Sequence, residues 1–123
     1  MTFDWSTYLV VARRLLSAPF ATEHREAAFR SSISRAYYAA FCTARDHVRR
    51  AIPVPQTGHA HAVVWSYFRK QADRRAQTVA RKGVRLKAHR RKADYEDEVV
   101  GLPALAEEDI LLSEEIIDAI GRL

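Results

Sequence analysis

A cation stands where an apolar residue is expected. Between Val79 and Ala93 the apolar positions step through 79, 83, 86 and 93 at helical spacing, and the position that completes the series is Arg90. Arg85, Lys87, Arg91 and Lys92 fall elsewhere around the helix and meet water at little cost. Arg90 instead projects between Leu86 and Ala93, toward whatever that face packs on. A guanidinium keeps its charge, so placing it there demands a partner. Asp94, at i+4, could supply one, although Arg before Asp is the less favourable order for the helix dipole. Tyr95, five positions on, comes close enough around the helix to join the cluster, and Tyr37 or Tyr38 could complete it. Two readings stand. One is a buried Arg–Asp pair that fixes bundle register, with Tyr95 a packing residue whose hydroxyl reaches that pair. The other is a cleft or dimer seam in which Arg90 takes a phosphate in a bidentate grip and Tyr95 bonds the same group.

The same helix carries Arg81, Lys82, Arg85, Lys87, Arg91 and Lys92 with no acid among them. Spread over several turns, each could neutralise one phosphate, giving binding that is salt-dependent and indifferent to base sequence. Aromatic residues are missing from that stretch, which argues against bases stacking there and for contact with the backbone of structured RNA or with a nucleotide.

Other constellations have less chemistry in them. His59 and His61 are two apart with no acid nearby in sequence, so no metal site is expected. His61 reads better as a polar contact at the start of a helix, near the cleft. Cys42 and His47 share no helical face and lack a third member, which argues against a cysteine nucleophile. Gly58, Gly83, Gly101 and Gly121 are isolated, so no loop cradles a phosphate, and no cofactor is expected.

Five helices can position these residues. Asp4 is a plausible N-cap for a first helix running to about Ser17, stopped by Pro19. A second, from about Thr22 to Ala51, shows the strongest periodicity: Phe29, Ile33, Ala36/Tyr37, Ala40/Phe41, Ala44 and Val48. Pro53 and Pro55 keep the following loop out of helix. A third helix begins near His59 or Ala60 and presents Val63, Val64, Tyr67 and Phe68. The fourth spans Asp73 to about Val99, either separate or continuing the third after a break near Ala72. Pro103 and the acidic Glu107-Glu108-Asp109 open the last helix, where negative charge suits the dipole. Leu105, Leu112, Ile116, Ile117 and Ile120 form its buried face. Short loops between long helices predict an all-α, antiparallel up-and-down bundle of four to five helices, one domain over residues 1–123.

Composition agrees with that architecture and narrows the function classes. The 123 residues include 20 alanines but only four glycines and four prolines. One cysteine excludes a disulfide framework and a multi-cysteine zinc site. No apolar run approaches the roughly 20 residues a membrane span needs, and Asp4 stands where a secretory signal would carry lysines. A cytoplasmic protein without a membrane partner is the expectation. The net charge of +5 hides a steep asymmetry: residues 69–92 hold eleven Lys and Arg against Asp73, and residues 93–123 hold ten acids against Arg122. The two stretches either neutralise each other across adjacent helices or leave the basic one facing a polyanion.

Three segments in combination resemble a known family: Ser34-Arg35-Ala36-Tyr37-Tyr38-Ala39-Ala40-Phe41, His61 before the short apolar run Val63 to Phe68, and Arg90-Arg91-Lys92-Ala93-Asp94-Tyr95. Together they are similar to the HEPN domains (higher eukaryotes and prokaryotes nucleotide-binding) of the small stand-alone prokaryotic branch, over roughly residues 3–120. The resemblance implies a four- to five-helix bundle that pairs as a homodimer. It also implies kinship with RNA-cleaving toxins and with proteins encoded beside a minimal nucleotidyltransferase. In the ribonuclease members an Arg is followed, after four to six residues, by a His, and two such motifs face each other and cut RNA without metal. Here Tyr95 occupies the place of that His. An imidazole titrates near neutrality and a phenol only near pH 10, so the phosphate-gripping half of the motif is kept and the proton-transferring half is lost.

The expected function is thus a HEPN-type, nucleic-acid-active protein of a toxin–antitoxin or defence pair. Arg90, Asp94 and Tyr95 form its candidate catalytic set, with Tyr37, Tyr38 and His61 supporting the cleft. The alternative is a non-catalytic helical dimer that binds a nucleotide or a nucleotidyltransferase partner through the same cleft.

Overall fold

A computed structural model of the chain describes residues 2–123. Five helices follow one another: α1 (Thr7–Ser17), α2 (Thr22–Arg49), α3 (Ala60–Arg69), α4 (Arg74–Tyr95) and α5 (Leu102–Ile120). The fold is an all-α bundle, as the apolar periodicity predicts. No helix among the described residues is long and apolar enough to cross a membrane.

The central helix is α2, which packs against all four others. Its small residues make that possible. Ala36, Ala39, Ala40 and Ala44 are fully buried and let neighbouring helices approach closely. Two buried serines mark the seams: Ser32 donates to the Ala12 carbonyl of α1 at 2.8 Å, and Ser113 of α5 donates to the Ala36 carbonyl at 2.7 Å. Each hydroxyl would be costly to bury without that acceptor.

Three local expectations are corrected. Asp4 does not cap α1; its carboxylate accepts from the backbone and hydroxyl of Ser6, holding a turn that precedes the helix. The fourth helix ends at Tyr95 rather than near Val99, because Glu96 is extended. Arg30 of α2 explains the stop: its guanidinium donates to the carbonyls of Ala93, Glu96 and Asp97 at 3.0, 2.6 and 2.9 Å. The acids Glu96, Asp97 and Glu98 would also repel the negative end of a longer helix. Finally, Asp109 is not a solvated charge at the head of α5. It lies fully buried, facing α4. The helix starts earlier, at Leu102, after Gly101 adopts a left-handed conformation (φ 68°) and with Pro103 in its first turn.

Packing of α3 on α4 depends on one close approach. The ring of Trp65 lies directly on Gly83, where even a methyl group would fall inside van der Waals contact with the indole. Gly83 thus sits in the apolar stripe of α4 as a slot for an aromatic ring. That slot seats α3 beside the residues considered next.

Candidate phosphate site at the junction of three helices

Arg90 is turned inward, its side chain only 11% exposed. The guanidinium carbon lies 5.6 Å from the ring centres of both Tyr37 and Tyr38 and 6.0 Å from that of Tyr95. Three aromatic faces therefore surround the cation, each offering a favourable quadrupole. Its one carboxylate contact is a long bond of 3.3 Å from Nη1 to Asp94. Buried Nε has no hydrogen-bond partner. Burial works against the charge, but Tyr38, the Asp94 bond and Tyr37 outweigh it, so the group is held more firmly charged than usual.

Tyr37 and His61 form a second layer beneath the cage. The indole N–H of Trp65 donates to the Tyr37 hydroxyl at 3.2 Å, and that hydroxyl lies 2.6 Å from His61 Nδ1. Indole can only donate, so the phenol accepts from Trp65, and one further hydrogen bond joins its oxygen to His61 Nδ1. Burial together with the positive charges of Lys87 and Arg90 pushes the His61 pKa down to about 4. Burial likewise pushes the Tyr37 phenol up, so it stays protonated. Phe41 stacks on the imidazole with ring centres 4.1 Å apart, fixing its plane. With its pKa so low, the imidazole cannot trade protons near neutrality.

All six cleft residues read from the sequence thus belong to one neighbourhood: Arg90, Asp94 and Tyr95 from α4, Tyr37 and Tyr38 from α2, His61 from α3. Tyr95 differs in degree from the expectation. Its ring is 76% exposed, so it forms the outer lip of the cage and leaves its hydroxyl in solvent.

Two of the basic residues of α4 are ion-paired with α5. Lys82 pairs with Glu115 of α5 at 2.6 Å, and Arg85 pairs with Glu108 of α5. These two belong to the α4–α5 contact, where the acidic and basic stretches neutralise each other. Arg81, Lys87, Arg91 and Lys92 have no carboxylate partner among the described residues. Lys87, Arg91 and Lys92 line a cavity of about 600 Å³ that Tyr95 also borders.

Sequence reasoning missed the pair His89–Asp109. His89 Nδ1 lies 2.7 Å from Asp109 Oδ1, while buried Oδ2 has no partner. Burial raises the Asp109 pKa to about 6, against the lowering effect of its bond to His89. With Glu108, these residues bring three donor atoms within 4.8 Å of one another, the one set among the described residues that could hold a metal ion. Their bonds run instead to each other and to Arg85. Burial also raises the Cys42 thiol, away from the thiolate a nucleophile needs.

No protein-family model, curated protein or solved structure matches this chain.

Proposed function

We propose that this chain is a HEPN-type protein directed at RNA within a toxin–antitoxin or defence pair, and that it holds an RNA phosphate at Arg90. One observation carries the reading: an inward, fully charged guanidinium whose buried Nε lacks a partner and whose only carboxylate contact is long. A phosphate oxygen is the acceptor such a group wants, and the bidentate geometry of Arg suits it. Lys87, Arg91 and Lys92 extend positive potential from the cage along α4.

The chemistry supported is holding RNA, with slow cleavage at most. An efficient metal-independent ribonuclease needs a group that gives and takes a proton near neutral pH. His61 is held neutral with a pKa near 4, and Tyr37 is held protonated. A second reading draws on the exposed Tyr95 hydroxyl beside Arg90: a non-catalytic dimer that binds a nucleotide, or accepts a nucleotidyl group from a partner transferase at Tyr95. In both readings two copies pair, so light scattering should give twice the 14.0 kDa chain mass.

The test compares wild type with Arg90→Ala on total RNA in the presence of EDTA. RNA retained by the wild type and released by the variant, with no cleavage by either, is the expected result. Cleavage that disappears in the variant would restore the ribonuclease, and equal RNA binding by both proteins would remove Arg90 from the site.

A further inference from the structure

Positive charge on the α3–α4 side of the bundle is left uncompensated. Arg69 bonds only the Ser66 hydroxyl and Arg81 only the Thr78 hydroxyl, while Lys87 has no ion pair among the described residues. All three border an open groove of about 840 Å³ between α3 and α4. No carboxylate lines this groove, and its floor is apolar, built from Ala62, Trp65, Ala80 and Val84. Val84 is 55% exposed on that floor, although it lies mid-helix beside the buried Gly83.

The groove is also a vacant packing position. Among the described helices α3 touches only α2 and α4, so its outer side and the adjoining face of α4 carry no further helix. Two helices side by side offer the ridge-lined furrow into which a third helix packs. An occupant must satisfy two demands together. It must cover apolar surface, and it must bring anions to three cations at the rim. A nucleic-acid backbone meets only the second, since its phosphates would lie over Val84 and Ala80 without gain.

We propose that the α3–α4 groove docks an acidic amphipathic helix of a partner protein. Its apolar stripe, at i, i+3, i+4 and i+7, rests on Ala62, Ala80 and Val84, and its flanking carboxylates meet Arg69, Arg81 and Lys87. The ten residues of α3 set the length of the furrow at about 15 Å, or roughly three turns of the incoming helix. Steering by the rim charges makes association faster and more specific at low salt.

The experiment uses the full chain labelled with ¹⁵N and four probes. Three are peptides of about fourteen residues, roughly four turns: one with Leu at the helical spacing and Glu elsewhere, one with Lys replacing every Glu, and one scrambling the first. The fourth is a short RNA oligonucleotide. The acidic amphipathic peptide should shift the amides of Ala62, Ser66 and Ala80, which line this groove and not the cavity beside Tyr95, saturably. The double variant Arg81→Glu/Lys87→Glu and the single variant Val84→Glu should each weaken it at least about tenfold. These side chains are exposed or at the rim, and an unchanged circular dichroism spectrum confirms the fold of each variant. Equal binding of the lysine or scrambled peptide would overturn the proposal, as would silent groove amides. RNA moving those amides more than the acidic peptide does would overturn it too, giving the groove to nucleic acid.

Discussion

Asp109 predicts a dependence of stability on pH that runs opposite to the usual one for a carboxylate. It is fully buried, its Oδ1 lies 2.7 Å from His89 Nδ1, and its second oxygen has nothing to bond. Arg85, the nearest strong cation, is taken up by Glu108. The folded-state pKa therefore rises from 3.8 to about 6. In that window the folded protein keeps a proton that the unfolded chain has released, so the stability Asp109 contributes is greatest below pH 4 and is lost as pH rises through 6. The rise corresponds to about 3 kcal/mol by the linkage relation. Asp109→Asn removes the titration. Its amide brings a fixed cost, about 1–3 kcal/mol if the new N–H₂ finds no acceptor, but that cost is the same at every pH. Urea unfolding followed at 222 nm should be run on both proteins at pH 4 and pH 8. Relative to wild type, the variant should improve by about 3 kcal/mol on going from the lower pH to the higher. Contributions from His61 occur in both proteins and cancel in the difference. A variant that loses ground at pH 8 would refute the reasoning, because Asp109 would then be stabilised as a charge by His89.

Other residues make further predictions. Gly83→Ala should lower stability by about 1–3 kcal/mol, since the added methyl meets the Trp65 ring and α3 must shift; an unchanged melting temperature would contradict that packing. His61 should remain neutral in ¹H–¹⁵N titrations until pH approaches 4, because burial and the charges of Lys87 and Arg90 oppose its protonation; an imidazole that titrates near 6.5 would contradict that. As its folded pKa is lowered, the stability it contributes is lost as pH falls from 6.5 toward 4. Arg30→Ala should fray the end of α4, raising hydrogen exchange from Ala93 to Asp97 while α1 stays protected, because three carbonyls lose one shared donor.

The helices were legible because α2 carries an unbroken apolar stripe and α5 a broad one, and helical period is a local property. Arg90 was legible for the same reason: it interrupts a stripe, and a permanent cation on that face needs a reason to be there. What escaped notice depends on contacts between distant positions. The acids at the head of α5 look alike in sequence, and only the register of α5 against α4 decides that Asp109 faces His89 while Glu107 faces water. That register also divides the basic run, assigning Lys82 and Arg85 to α5 and leaving Arg81, Lys87, Arg91 and Lys92 unpaired. Tyr37 and His61 were both named from the sequence. Their hydrogen bond, and Trp65 donating to the same phenol oxygen, follow from how α3 seats on α2 and have no local signal. Gly83 had a readable signal, a glycine in a buried helical position, but its partner could have been any aromatic ring of α3.

The Nε–H resonance of Arg90 reports on the central claim most directly. In protein labelled with ¹⁵N-arginine, adding a short RNA oligonucleotide should move that signal, as the guanidinium takes a phosphate oxygen on its accessible edge. Arg90→Lys should keep the fold while losing at least about tenfold in RNA affinity, since an ammonium lacks the fork. An Arg90 signal that stays still while RNA binds, with the Lys variant binding as tightly, would contradict the account and move the phosphate contact elsewhere on α4.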